Sequence, residues 1–169
     1  MKLILASASP RRLELLTNIG FKPDVVEAAD IDETPYKNEK PDLYALRCGR
    51  EKAEVVAARY SDGIILAADT MVALGRRIIG KAEDRAGAFR DLSLMQGRNH
   101  RVFTGMSIIK KQGGQFIQAS HKLVATTVRF KRMSDDELNW YLDTNEWQGK
   151  SGSFTLMGIA SGFIEQVKG

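Results

Sequence analysis

Residues 3–12 read Leu-Ile-Leu-Ala-Ser-Ala-Ser-Pro-Arg-Arg and lead into an apolar-periodic run that closes at Gly20. Leu3–Ala6 predicts a short strand, Ser7 and Ala8 the turn, and Ser9 an N-cap. Pro10 falls in the first helical turn, where a missing N–H costs nothing. Arg11 and Arg12 follow in that same turn, where the helix dipole favours acidic residues by roughly 0.3–1 kcal/mol each. An anion docked at the helix start would reverse the sign, because free N–H groups, two guanidinium groups and the Ser7 and Ser9 hydroxyls would converge on one phosphate. The alternative is that both arginines point into water.

Strand-turn-helix grammar continues along the chain and predicts an α/β fold. After Gly20, residues 21–29 read as extended and 30–40 as a polar loop in which Asp30, Asp32 and Glu33 bring three carboxylates together. Those acids are either solvated or, facing a phosphate, able to hold a divalent metal. Asp42 can cap a helix running to about residue 60, with Ala45, Cys48, Lys52 and Val55 or Val56 on one stripe. Lys52 either snorkels past the core edge or aims a buried ammonium at a ligand. Gly63–Leu74 is a nearly continuous apolar run, as in a strand buried on both faces, and only Asp69 breaks it. A carboxylate there must be paired, capped or metal-bound.

Residues 75–82, Gly-Arg-Arg-Ile-Ile-Gly-Lys-Ala, keep P-loop spacing as far as Lys81 and then offer Ala82 where a magnesium-binding hydroxyl belongs. Gly149-Lys-Ser151 has the hydroxyl but Thr144 in place of the first glycine, so neither is a P-loop. Residues 83–95 predict a helix with Ala86, Phe89, Leu92 and Met95 on its core face and Gly97 as its stop. Strands are expected over 101–110, 116–120 and 122–130, the first two joined through Gly113-Gly114. Ser134-Asp-Asp-Glu137 is a capping box, and residues 145–153 form a glycine-rich loop. His100 and His121 read as strand-end polar residues rather than catalysts.

The 169 residues carry a net charge of +4 spread over 25 basic residues without a run, which suits a small anionic ligand. No aromatic-interleaved basic stripe supports nucleic-acid binding. A single cysteine, Cys48, excludes a disulfide framework and a cysteine zinc site. No window approaches the roughly 18 apolar residues of a membrane span, and the start is too short for a signal peptide. The expectation is a cytoplasmic protein.

Taken in order, Ser-Ala-Ser-Pro-Arg-Arg at 7–12, Asp-Glu at 32–33, Arg-Glu-Lys-Ala at 50–53, Ala-Ala-Asp-Thr at 67–70, Gly-Lys at 80–81, Gly-x-x-His-x-Val-x-Thr-Gly at 97–105 and Glu-Trp-x-Gly-Lys at 146–150 closely resemble the Maf family of nucleoside triphosphate pyrophosphatases. The resemblance implies a twisted mixed β-sheet flanked by helices, two-lobed with a central cleft, related to inosine-triphosphatase-like enzymes. It implies cleavage of a nucleoside triphosphate to the monophosphate and pyrophosphate with a divalent metal, Mg or Mn. By resemblance Asp69 is the general base, Ser7, Arg11, Arg12, Lys52 and Lys81 hold the triphosphate, and Glu33 and Asp69 neighbour the metal.

Arg11, Thr70 and the Asp-Glu-Thr pattern are similar to the branch that takes dTTP and UTP. At the substrate-contacting position 157 that branch has glutamine and the 7-methyl-GTP branch glutamate, whereas this chain has Met157. A thioether accepts only weak hydrogen bonds, so relaxed base choice is expected. Other readings are the same chemistry on 7-methyl-GTP or non-standard purine nucleotides, or a nucleotide-binding regulator of cell division without turnover. Homodimers are common in that family. Its sequences continue past the position of Gly169, so a single domain over 1–169 lacking that C-terminal segment is expected.

Overall fold

The computed structural model describes residues 1–169. Its elements are β1 (Leu3–Ala6), α1 (Pro10–Asn18), β2 (Val25–Glu27), α2 (Pro41–Ala57), β3 (Gly63–Leu74), β4 (Arg77–Ile79), α3 (Arg85–Met95), β5 (Asn99–Gln112), β6 (Gln115–Phe130), α4 (Asp135–Asp143), a 3-10 turn (Ile159–Phe163) and β7 (Ile164–Lys168). The seven strands make one mixed sheet in the order β2-β1-β3-β5-β6-β7, with β4 paired to β3. This is the α/β class the strand-turn-helix pattern predicts. No helix is long and apolar enough to cross a membrane.

The chain divides into two compact units, one of residues 1–69 and 104–124, the other of residues 70–103 and 125–169. In the first, β1 runs parallel to β2 and to β3, with Ile4 opposite Val25 on one side and Ile65 on the other. Its core is Ile4, Ala6, Ala53, Val56, Ala57, Ile65, Ala67 and Ile109. Half of these are alanines, and α2 lies almost on the backbone of β5. A Cβ on Gly49 would stand 2.3 Å from the Gly105 carbonyl oxygen, and one on Gly105 would stand 2.1 Å from the Ala45 carbonyl oxygen. At the other end of α2, Lys111 Nζ donates to the Ala57 carbonyl at 2.9 Å, satisfying an acceptor that helix geometry leaves open.

The second unit packs α3 and α4 around Val72, Ile79, Leu92, Met95, Phe130, Leu138, Tyr141, Trp147, Phe154 and Phe163. The capping box of α4 forms as expected, Ser134 accepting from Glu137 N and Glu137 accepting from Ser134 N. His100, the second residue of β5, is 1 % exposed between the rings of Phe130 and Phe154, and neither ring nitrogen has a hydrogen-bond partner.

Several elements differ from the sequence reading. Ser9 occupies the N-cap of α1 but its side chain caps nothing. The N-cap of α2 is Lys40, because Pro41 with its fixed φ takes the first helical position and leaves Asp42 inside the first turn. The β3 run alternates buried and half-buried residues, so one face is dry and the other only partly covered. Helix α3 is capped by Asp84, which accepts from Gly87 N, and its buried stripe is Ala88, Leu92 and Met95, with Ala86 exposed. The stretch 115–130 is one strand: residues 115–122 are exposed, and since the ladder is made of backbone groups, polar side chains facing water do not end it. His121 therefore lies mid-strand, its Nδ1 2.9 Å from Ser107 Oγ.

Replacing Gly105 by Ala forces α2 off the sheet. The expected loss is about 2–3 kcal/mol, or about 5–10 °C in Tm, whereas Gly162→Ala, with nothing within 4 Å of its added Cβ, should leave Tm nearly unchanged. A thermal melt of both variants checks this. Burial pushes the His100 imidazole down to about 4, against a smaller pull from the Arg98 backbone. An unfolded imidazole titrates near 6.5, so between those values the unfolded chain binds a proton that the folded chain refuses. Stability is therefore lost as pH falls through that window, by on the order of 3 kcal/mol. Denaturant titrations from pH 7.5 to 4 should show a shallower pH dependence for His100→Leu than for the unsubstituted chain; parallel profiles would contradict the assignment.

Candidate functional site

In the first unit, the buried face of β3 carries Ile65, Ala67 and Asp69 at alternate positions. Asp69 thus points to the side where apolar neighbours would otherwise be, and α2 supplies its partner. Lys52 lies one turn beyond buried Cys48 and one turn before buried Val56, so its stem follows the helix's packed stripe. Its Nζ donates to Asp69 Oδ1 at 2.6 Å, and both side chains are 11 % exposed. The same Nζ lies 2.7 Å from Glu33 Oε1. Burial alone would depress the Lys52 pKa, but the Asp69 carboxylate, and Glu33 after it, outweigh burial and hold it above the ordinary lysine value. One buried ammonium therefore joins two carboxylates drawn from a strand and a loop.

The β1–α1 corner adds a second polar group. Ser7, 4 % exposed, accepts from Ser9 N at 3.2 Å and from Arg12 Nη1 at 3.0 Å. Those bonds fill both hydroxyl lone pairs and leave its proton to donate. Arg12 is half-buried and Arg11 exposed, so the two arginines are not equivalent. Burial lowers the Arg12 pKa; the charge of Asp69 opposes this, Arg11 adds to it, and Glu33 opposes it again. The first turn of α1 contains no acidic residue, so the helix dipole and the two guanidinium groups make this a cationic end suited to an anion.

The expected cluster of Asp30, Asp32 and Glu33 does not assemble, and no three His, Cys, Asp or Glu residues meet in a metal-holding group. Asp32 instead closes a local turn, accepting from Thr34 N at 2.9 Å. What the fold brings together is Glu33 with Asp69, across Lys52. Sequence reading also missed Tyr44 and Arg47, both nearly buried, which bond to the Glu33 loop. Their only local signal is the Arg47 and Glu51 pair at helical spacing, which looks like a solvated face.

In the second unit, Thr70 and Lys81 are tied to the same glycine-rich loop. The Thr70 carbonyl accepts from Ser151 Oγ at 3.2 Å, Lys81 forms a β-bridge with Ser151, and the Gly80 carbonyl accepts from Gly152 N at 2.8 Å. Gly152 has φ +71, and a Cβ there would press on Val72. Met157 is 74 % exposed. It precedes a turn held by Glu146, which accepts from Ile159 N at 2.6 Å and Ala160 N at 3.3 Å.

The model of the Maf family, described as Maf-like protein, matches residues 2–169. This chain belongs to the Maf family. It is 50 % identical over 167 residues to a dTTP/UTP pyrophosphatase of Caulobacter vibrioides, a match that covers 99 % of this chain and 84 % of that protein. A dTTP/UTP pyrophosphatase of Zymomonas mobilis is 48 % identical over 167 residues, with 99 % and 81 % covered. Among solved structures, the Staphylococcus aureus Ham1 protein matches with a TM-score of 0.50 at 13 % identity, over 77 % of this chain and 72 % of that one. That likeness is one of fold. Within the Maf chain, the motifs at 7–12, 32–33, 50–53 and 67–70 are the ones that supply Ser7, Arg12, Glu33, Lys52 and Asp69 to the first unit.

Proposed function

We propose that this Maf protein is a nucleoside triphosphate pyrophosphatase that takes dTTP and UTP and releases the nucleoside monophosphate and pyrophosphate. The observation that carries the reading is the Lys52 ammonium held by both Asp69 and Glu33. A buried ion group of this kind is costly to assemble and gives little net stability by itself, so its place is explained by charge chemistry. The names of the Caulobacter and Zymomonas relatives support the substrate class.

In this reading water attacks the α-phosphorus, the bridging oxygen to the β-phosphorus leaves with pyrophosphate, and the water proton passes to Asp69. Oδ1 is committed to Lys52, so Oδ2 is the atom assigned to that proton. The lysine orients the carboxylate through that bond. Arg11, Arg12 and the Ser7 hydroxyl neutralise and position phosphate oxygens, which is most of what phosphoryl chemistry asks of a protein. We assign substrate contacts also to Thr70, Lys81 and Met157.

Glu33 and Asp69 fit a divalent cation, Mg or Mn. Their oxygens already converge on a single cationic nitrogen, and magnesium needs only one or two protein carboxylates besides waters and phosphate oxygens. When bound, the metal supplies charge neutralisation on the triphosphate. Met157 offers no strong hydrogen bond to a base edge, which supports a tolerance for several pyrimidine nucleotides.

Pyrophosphate release should be measured over a panel of nucleoside triphosphates with Mg or Mn. Turnover of dTTP and UTP is expected, with Asp69→Asn at least about 100-fold slower. Turnover confined to 7-methyl-GTP or purine nucleotides would overturn the substrate assignment, and nucleotide binding without turnover would overturn the enzyme.

A further inference from the structure

The Lys52–Glu33 contact cannot hold Glu33 in place unaided. The Glu33 side chain is 43 % exposed, and an ion pair with one wet partner contributes little against the entropy of ordering a loop. Residues 28–36 contain no helix or strand. Yet the carboxylate meets the same nitrogen as Asp69, so other groups must fix the backbone behind it.

Those groups are on α2. Tyr44 Oη donates to the Glu33 carbonyl at 2.9 Å. Arg47 Nη2 donates to the Thr34 carbonyl at 3.1 Å, and its guanidinium grips Glu39 with two bonds, Nε to Oε1 at 2.7 Å and Nη2 to Oε2 at 2.9 Å. The Tyr36 ring lies over it, 4.0 Å from centroid to Cζ. Glu39 in turn closes the tip of the loop by accepting from Tyr36 N at 2.9 Å. Tyr44 and Arg47 are each 8 % exposed, and a bidentate guanidinium is more rigid than any lysine contact. Apart from the Arg47 Nη1 bond to Glu51 within α2, these bonds fall on Glu33, on its neighbour Thr34, or on the turn that ends the loop.

We propose that Tyr44 and Arg47 are positioning residues that fasten the Glu33 loop to α2 and thereby set the affinity of the Glu33 and Asp69 pair for the divalent cation. The proposal rests on the function proposed above. Groups that orient metal ligands typically change metal affinity by 10–100-fold when removed.

The test uses the full chain with Tyr44→Phe, which removes one hydroxyl and keeps the ring, and Arg47→Met. Binding of Mn2+ without nucleotide is followed by electron paramagnetic resonance, amide hydrogen exchange is followed at residues 34–39, and dTTP turnover is followed against Mg2+ concentration. Both variants should bind Mn2+ about 10-fold or more weakly, exchange faster at 34–39, and need about 10-fold more Mg2+ for half the maximal rate. At saturating Mg2+ their kcat should return to within about threefold of the unsubstituted chain. Unchanged Mn2+ affinity in both variants, a kcat loss that saturating Mg2+ does not restore, or no Mn2+ binding by the unsubstituted chain would each overturn the proposal. If the unsubstituted chain binds Mn2+ but turns over no nucleotide, the functional reading falls, and the binding and exchange measurements still decide the positioning role.

Discussion

A lysine ammonium buried between two carboxylates governs how the first unit is put together. Lys52 comes from the middle of α2, Asp69 from the core face of β3, and Glu33 from a loop with no regular structure. Each charge taken from water costs several kcal/mol, and only mutual proximity offsets that. Removing Lys52 or Asp69 leaves the other's buried charge uncompensated, so helix and strand are bound to one arrangement. The energy of the group lies less in stabilising the fold than in forbidding alternatives to it.

That constraint works only because α2 sits at a set depth. Gly49 and Gly105 allow helix and strand backbones to approach more closely than any side chain permits, and Lys111 holds the Ala57 carbonyl at the helix end. At this depth the four-carbon stem of Lys52 reaches Asp69 with its ammonium still buried. The apolar core of the unit is made of alanines and β-branched residues.

Much of this was legible in the chain. The strand-turn-helix at 3–20, the misplaced arginines, the acid inside an apolar strand and the lysine on an apolar stripe are all local conflicts with ordinary patterning. They pointed to the residues that the fold then gathers in the first unit. What could not be read was who pairs with whom. Lys52 and Glu33 are separated by a loop whose path is set by Arg47 and Glu39, and nothing local to either marks a bidentate pair. Asp42 looked like a cap because acids favour helix starts, but the proline beside it moved the boundary. His100 reads as a strand-end residue and is the second residue of β5, but its burial between two phenylalanines comes from long-range packing that spacing does not encode.

The most direct measurement is a double-mutant cycle in unfolding free energy with Lys52→Met, Asp69→Asn and the double variant. If the buried pair organises the unit, the two changes are coupled by about 1–3 kcal/mol, and the double variant is no less stable than Lys52→Met. Additivity within about 0.5 kcal/mol would contradict the account, because it would mean that neither residue feels the loss of the other.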